Sequence, residues 1–291
     1  LSVLSLCLAQ QCTDWHSVYH LGSSRANLLR PFQELFGGRE VLEIGAGCGA
    51  LTRFLGESGA RVLALEGSLR RAAVARARCR GLPDVTVVAE QFERFATPRR
   101  FDVVTLVGVL EYAPAFTSGA APVLAMLRQA RALLKPEGTL ILAIENQLGL
   151  KYFAGAPEDH LGTAMYGIEG RYRPGEPRTF GRAELDALLA RAGFLGRAFL
   201  APFPDYKLPV CILTEPGFST PGFDAAALLR QTASRDPQLP RPLAFAPERV
   251  WPALAANGLA LEMANSFLIR ATPQAPPPGP PPRTLAWHYA T

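Results

Sequence analysis

Three glycines at alternate positions join an apolar strand to an amphipathic helix in the first fifth of the chain. Residues 41–52 have the sequence VLEIGAGCGALT. Gly45, Gly47 and Gly49 let the backbone turn sharply and approach a ligand closely, where a Cβ would collide with it. The helix that begins at Ala50 offers unpaired N–H groups to a polar ligand. The pattern predicts a strand–turn–helix unit with a ligand at the turn.

A second apolar strand, residues 61–65, ends in Glu66. An acid at the tip of the second strand of a βαβ unit can accept hydrogen bonds from both hydroxyls of a ribose. The glycine spacing is GxGxG, whereas dinucleotide folds that bind a pyrophosphate use GxGxxG. Together these features favour a nucleoside ligand without phosphates.

Strands and helices alternate in the first half of the chain. Strands are predicted at residues 41–44, 61–65, 85–89, 102–107 and 139–144, and helices at 50–58, 68–80 and 122–134. This order predicts an α/β fold with a doubly wound parallel sheet, which binds ligands at the carboxyl ends of its strands. Five acids stand at or just after these strand ends: Glu43, Glu66, Glu90, Glu111 and Glu145.

Residues 43–49, EIGAGCG, resemble the first motif of class I S-adenosylmethionine-dependent methyltransferases. The resemblance covers residues 38–214 and implies a seven-stranded, mostly parallel, Rossmann-like sheet with S-adenosylmethionine as the cofactor. It also implies that Glu66 binds the ribose, that Glu90 meets the adenine amino group and that Phe92 packs beside the ring. The expected cofactor-binding residues are Glu43, Gly45, Gly47, Gly49, Glu66, Glu90, Phe92 and Arg25.

Residues 1–37 are predicted to be helical and contain a polar-aromatic patch that includes Trp15, Tyr19 and His20. One interpretation is a lid that closes over the ligand, with Arg25 or Arg30 facing a carboxylate. The other is a helical pair that packs on the edge of the sheet. The sequence leaves both open.

Residues 146–180 are rich in Gly, Pro, Tyr and charged residues, and we expect them to form a lid that binds the methyl acceptor. His160 lies in this segment and is the first candidate for a general base, which Asp159 or Glu158 could orient. A purely structural histidine is the alternative, and Glu145 is the second candidate base. The catalytic candidates are His160, Glu145 and Asp159, and the acceptor-binding candidates are Glu111, Tyr152, Glu158, Tyr166, Tyr206 and Lys207.

The remaining chain is predicted to extend this core. Residues 194–214 are expected to hold closing strands, 215–265 a helical insertion, and 266–271 one further strand. Residues 272–291 contain a proline-rich linker and, at 285–289, the expected start of another module. The chain begins without methionine, and we expect it to be part of a longer polypeptide.

Composition restricts the class of partner. The net charge is +5, and the densest cluster of arginines lies on one predicted helix, where a solvated face is favoured over nucleic-acid binding. No Asn/Asp-Pro-Pro-aromatic motif for a flipped base follows the fourth strand. The five cysteines show no CxxC or Cys/His pairing, which favours reduced thiols in the cytoplasm and argues against structural zinc; no metal ligands are assigned. No apolar run approaches the ~18 residues of a membrane helix.

Residues 145–153, 158–160 and 202–207 resemble methyltransferase domains of bacterial surface-polysaccharide biosynthesis, which are often fused to glycosyltransferases. The resemblance implies O-methylation of a sugar hydroxyl on a nucleotide-linked or lipid-linked glycan, with a glycosyltransferase as a covalently linked neighbour. Two alternatives stay open. One is a non-catalytic domain that binds S-adenosylmethionine as a scaffold, and the other is a nicotinamide-dependent oxidoreductase on the same fold.

Overall fold

The parallel half of the fold agrees with the alternation of strands and helices in the sequence. A computed structural model describes residues 2–232, 239, 242–275 and 284–289. The first five strands are β1 (Glu40–Ile44), β2 (Arg61–Glu66), β3 (Val85–Ala89), β4 (Phe101–Val107) and β5 (Leu134–Glu145). They lie in the order β3-β2-β1-β4-β5 and are all parallel. β5 begins earlier than the predicted strand at 139–144, and its pairing with β4 shifts register between Phe101 and Val103.

Helices cover both faces of this sheet. Their bounds are α1 Leu6–Ala9, α2 Trp15–Leu21, α3 Ala50–Glu57, α4 Leu69–Arg78, α5 Ala113–Phe116, α6 Pro122–Ala132, α7 Leu150–Phe153, α8 Arg182–Arg191, α9 Glu215–Ser219, α10 Ala225–Thr232 and α11 Pro247–Ala256. Short 3₁₀ segments occupy Ser23–Leu28, Arg30–Leu35, Phe92–Arg94 and Leu110–Tyr112. Within the described ranges, none of the helices has the length and apolar character needed to cross a membrane.

The second half of the sheet differs from the expected seven-stranded, mostly parallel arrangement. The strands β6 (Gly196–Phe203), β7 (Cys211–Thr214), β8 (Ser266–Thr272) and β9 (Ala286–His288) extend the order to β3-β2-β1-β4-β5-β8-β6-β7-β9. The described part of the chain thus forms a mixed nine-stranded sheet, in which all pairs beyond β5 are antiparallel. Residues 204–210 are too few for a parallel crossover, so β7 folds back beside β6.

The C-terminal segment belongs to this sheet, and the prediction that residues 285–289 start another module is wrong. β9 pairs with β7, and Trp287 packs against the apolar cluster on one face of the sheet. β8 is an inner strand of the sheet, because it lies between β5 and β6. The proline run at 276–282 lies outside the described residues.

Two apolar clusters hold the layers together, one on each face. Leu42 and Ile44 of β1 point to the face covered by α6 and α8, whereas Val41 points to the face covered by α3 and the 3₁₀ segments of residues 23–35. Because both faces are covered, the parallel strands are continuously apolar. The N-terminal segment is thereby fixed on one face of the sheet, close to the carboxyl ends of β1 and β2.

Candidate active site

The three glycines after β1 serve different purposes. All three have positive φ values, of 81°, 55° and 79° for Gly45, Gly47 and Gly49. A Cβ on Gly45 would overlap a methyl group of Val109, and one on Gly49 would lie 2.8 Å from Ala75 Cα. A Cβ on Gly47 would have no described atom within 4 Å. Two of the glycines are therefore required by packing, and Gly47 is the one that keeps space open for a ligand.

Glu66 holds the glycine turn in place. Its Oε2 accepts a hydrogen bond from the Gly47 N–H at 2.7 Å, and its Oε1 accepts one from the Ser68 N–H at 2.9 Å. Ser68 also caps α4, which begins one residue later. The carboxylate is thus fixed at the carboxyl end of β2, next to the turn, where the sequence predicted a ribose-binding acid.

Glu43 is buried beneath the same turn. Its Oε2 finds no hydrogen-bond partner within the described ranges, and burial raises the pKa of this carboxyl to about 7 although the Thr52 hydroxyl and Arg25 oppose the shift. An unpaired acceptor of this kind is costly unless a ligand or water satisfies it.

A cavity of about 870 Å³ opens in front of the turn, at the carboxyl ends of β1, β2 and β4. Of the predicted cofactor residues, those that line it are Glu43, Gly45, Gly47, Glu66, Glu90, Phe92 and Arg25. Gly49 is not part of the lining, in agreement with its packing role. The volume, the open side of Gly47 and the unpaired Glu43 oxygen fit a nucleoside such as S-adenosylmethionine.

The N-terminal segment forms part of the cavity wall. His16, Tyr19, His20 and Arg25 all line it. The Arg25 Nη1 donates to the backbone carbonyl oxygens of Tyr206 and Lys207, at 3.1 and 3.0 Å. Arg25 therefore ties this segment to the loop between β6 and β7.

A network of charged side chains lies behind the cavity, at the carboxyl ends of β4 and β5. Lys151 Nζ lies 2.8 Å from Asp159 and 3.0 Å from Asp205. Lys207 Nζ lies 2.5 Å from Glu145 Oε1 and 3.0 Å from Asp159. Burial alone would raise the pKa of the Asp159 carboxyl, but the two lysines hold it far below its ordinary value. Asp159 is therefore a permanently charged partner of the lysines.

His160 lies at the centre of three carboxylates. Its Nδ1 is 3.1 Å from Glu158 Oε1, and its Nε2 is 3.6 Å from Glu111 Oε1 and 4.0 Å from Glu145 Oε2. Burial favours the neutral imidazole, but these carboxylates outweigh it and raise the pKa to about 11. A protonated imidazole cannot accept a proton, so this geometry favours a carboxylate as the general base. Of the two predicted orienting residues, the structure places Glu158 against the ring.

Most acceptor-binding candidates converge in the same place. The Tyr152 hydroxyl donates to Asp159 at 2.5 Å, and the Tyr206 hydroxyl donates to Glu145 at 3.3 Å. Tyr166 does not join them, because its hydroxyl donates to Glu176 at 2.8 Å. Sequence reasoning did not assign Lys151 to the site. The signal was the rarity of lysine in an arginine-rich chain, since two of its three lysines lie here.

Gly108, which follows β4, connects the cavity to this network. It lines the cavity, and a Cβ on it would lie 2.8 Å from the Tyr206 hydroxyl and 3.6 Å from Glu111 Oε1. Tyr112 also lines the cavity, and its ring meets the His160 ring edge-on with the centroids 5.2 Å apart. A ligand in the cavity would thus be separated from the carboxylates by only a glycine backbone and one tyrosine ring.

Comparison with known proteins agrees with this geometry. Residues 42–140, which include the glycine turn, Glu66 and β4, match the family model described as a methyltransferase domain. Over these residues the chain is therefore similar to methyltransferase domains. The match ends inside β5, so residues 146–180 and the antiparallel half of the sheet lie beyond it.

Curated relatives of the methyltransferase domain cover part of the chain. An ubiquinone biosynthesis O-methyltransferase of Proteus mirabilis is 28% identical over 138 residues, 46% of this chain and 53% of that protein. A demethylmenaquinone methyltransferase of Tropheryma whipplei is 30% identical over 105 residues, 36% of this chain and 41% of that protein. The chain thus matches about half of the length of these relatives or less.

Solved structures share the fold over most of the chain. An S-adenosylmethionine-dependent methyltransferase of Thermotoga maritima aligns with a TM-score of 0.50 and 17% identity, over 92% of this chain and 97% of that one. The CcbJ methyltransferase of Streptomyces caelestis aligns with a TM-score of 0.50 and 17% identity, over 86% and 88%. The predicted Rossmann-like methyltransferase fold is confirmed. The expected seven strands and mostly parallel sheet are not, because the described residues form nine strands in a mixed sheet.

Proposed function

We propose that this chain binds S-adenosylmethionine in the cavity and transfers its methyl group to a hydroxyl of a sugar. The observation that carries the proposal is the open side of Gly47, which faces the cavity between the acidic tips of β1 and β2. A nucleoside seated there would place its ribose against Glu66, while its adenine would lie toward Glu90 and Phe92.

The buried carboxylates behind Gly108 support the acceptor half of the proposal. In the reaction the S–CH₃ bond breaks as an O–CH₃ bond forms, and the sulfonium becomes a neutral thioether that leaves as S-adenosylhomocysteine. The hydroxyl proton passes to a carboxylate as the new bond forms, and we assign this role to Glu145, with Glu111 beside it. Most of the rate gain would come from holding donor and acceptor in line.

The acceptor would lie under residues 146–180. Tyr152, Glu158, Tyr206 and Lys207 are the side chains of this region that would position a polyhydroxylated ligand, since they combine aromatic surface with fixed donors and acceptors. The resemblance of residues 145–153, 158–160 and 202–207 to domains of surface-polysaccharide synthesis further suggests a nucleotide-linked or lipid-linked sugar, and a glycosyltransferase as neighbouring domain.

The test uses S-adenosylmethionine labelled at its methyl group, the purified chain and a panel of acceptors. The panel contains nucleotide sugars and, because of the name of the Proteus relative, a catechol. We expect calorimetry to show S-adenosylmethionine binding and mass spectrometry to show one methyl group on a sugar oxygen. Glu66→Ala serves as the variant with a damaged donor site, and Glu169→Gln, an exposed residue paired with Arg171, as the control.

The outcomes separate the competing functions. No binding of S-adenosylmethionine, together with binding of a nicotinamide dinucleotide, would refute the proposal in favour of an oxidoreductase. Binding without transfer to any acceptor would favour a scaffold. Transfer to the catechol alone would leave methyl transfer standing and exclude a sugar as the acceptor.

A further inference from the structure

Three buried side chains from different segments point their ligand atoms at one spot beside Gly108. Glu111 follows β4, Glu145 ends β5 and His160 lies in the segment of residues 146–180. Their ligand atoms all lie within 4.8 Å of one another. The 3.6 and 4.0 Å distances from His160 Nε2 to the two carboxylates are too long for hydrogen bonds. Two ligands of one cation, with bonds of about 2.1 Å, lie about 3.0–3.6 Å apart. The observed separations are thus close to those of a metal site.

Two of the three side chains, His160 and Glu145, are held from behind. Glu158 Oε1 binds His160 Nδ1, and Glu158 Oε2 accepts the backbone N–H groups of His160 and Leu161, both at 2.7 Å. Metal-binding histidines usually donate their other ring N–H to a carboxylate in this way, which aims the second nitrogen at the metal. Glu145 Oε1 is likewise held by Lys207, so its Oε2 is the oxygen turned toward the spot.

Each of the two carboxylates has one oxygen without a hydrogen-bond partner. Oε2 of Glu111 and Oε2 of Glu145 are buried and have no hydrogen-bond partner in the part of the chain that the structure describes. Both residues are only 1% exposed. Buried carboxylate oxygens are normally satisfied by hydrogen bonds or by a cation.

The charges of the network also leave room for a cation. Five carboxylates whose side chains are at most 5% exposed surround this region: Glu111, Glu145, Glu158, Asp159 and Asp205. The ammonium groups of Lys151 and Lys207 are two positive charges among these carboxylates, and they lie against Asp159, Asp205 and Glu145. The His160 Nε2 lies 3.6 Å from Glu111 Oε1, and a metal ion bound between them would take the place of any proton on that nitrogen.

We propose that Glu111, Glu145 and His160 bind one divalent first-row transition-metal ion, such as Mn²⁺ or Zn²⁺. An imidazole with two carboxylates suits these ions better than Mg²⁺, which prefers oxygen ligands and keeps its water. The site stands on the geometry alone, and what the ion would do rests on the proposed function. Next to the cavity it would bind the acceptor hydroxyl and make its proton more acidic, and this effect would replace proton transfer to Glu145 whenever the ion is bound.

The test titrates Mn²⁺ into the full chain after treatment with a chelator and follows the electron paramagnetic resonance signal of the free ion. We expect one bound ion per chain, with nitrogen coupling from an imidazole in the pulsed spectrum of the wild type. His160→Gln should abolish the nitrogen coupling, and both His160→Gln and Glu111→Gln should weaken binding at least about 10-fold. Glu169→Gln in the same segment should bind as the wild type does.

Other results would overturn the site. The proposal fails if the wild type binds neither Mn²⁺ nor Zn²⁺ at millimolar concentration, or if bound Mn²⁺ shows no nitrogen coupling. It also fails if both variants bind with wild-type affinity. Calorimetry with S-adenosylmethionine, run on the chelator-treated wild type, tests the donor site separately. Donor binding without cation binding would reject the metal site and leave the proposed methyl transfer intact.

Discussion

Replacement of Gly47 by alanine separates the packing role of the glycine turn from its role in ligand binding. Gly47 has a φ of +55°, and a Cβ there would meet no described atom within 4 Å, so the added methyl group would project into the cavity. The left-handed backbone conformation costs an L-residue about 1–2 kcal/mol, and the fold should tolerate this loss. The same methyl group would push a bound nucleoside away from the turn.

The expected loss of affinity follows from the contacts next to the turn. Glu66 lies against the Gly47 N–H at 2.7 Å, so a ligand displaced from the turn would lose at least one hydrogen bond to that carboxylate. A hydrogen bond to a charged group contributes about 1.5–3 kcal/mol, which corresponds to a factor of about 10 to 150 in the dissociation constant. Calorimetry with S-adenosylmethionine measures this factor directly.

Gly38→Ala is the matched control for this measurement. Gly38 also has a positive φ, of 68°, and no described atom near the position of a Cβ, but it precedes β1 at the end of the strand opposite to the cavity. Urea unfolding should show similar losses of stability for both variants, with a loss of affinity for Gly47→Ala alone. The reasoning would be refuted if Gly47→Ala bound S-adenosylmethionine as tightly as Gly38→Ala does.

Three further predictions concern the same cavity. Glu66→Ala should weaken S-adenosylmethionine binding more than Glu66→Gln, which keeps an acceptor for the Gly47 N–H, and equal affinities in calorimetry would contradict a ribose-binding acid. Donor binding should slow amide hydrogen exchange across residues 14–30, because this segment lines the cavity. Unchanged exchange would mean that the segment only packs on the sheet and does not close over the ligand. The folded pKa of Glu43, about 7 against 4.5, lies above its unfolded value, so the unfolded chain loses the proton first as pH rises. The free energy of unfolding should therefore fall by about 3 kcal/mol between pH 4.5 and 7, and Glu43→Gln should remove this loss. Urea unfolding at pH 5 and pH 8 measures it, and an equal change of unfolding free energy in the wild type and the variant would contradict the prediction.

The local patterns of the first half of the chain were sufficient to predict its fold. The strand ends, the glycine turn and the acid at Glu66 are fixed by interactions between residues close in sequence, by side-chain periodicity and by the regular right-handed βα connections of a parallel sheet. Seven of the eight expected cofactor residues line one cavity for this reason. The exception, Gly49, packs against Ala75 of α4, a contact that no sequence spacing reveals.

The second half of the sheet depends on long-range pairing. β8 inserts between β5 and β6, and β9 returns to β7 from beyond the proline run, so its place is decided by partners far away in sequence. A short apolar segment such as residues 285–289 has the same pattern whether it starts a new module or completes an old one.

The same distinction applies to His160. The sequence by itself determined that a histidine stands in a charged segment after the fifth strand, near carboxylates at strand ends. Only the tertiary structure decided that Glu111, Glu145 and Glu158 surround its ring, which raises the pKa of the imidazole and disfavours the neutral form that a base needs. The reason is physical: a spacing in the sequence specifies residue type and periodicity, whereas burial and the distance to other charges, which set the protonation state, exist only once the chain has folded.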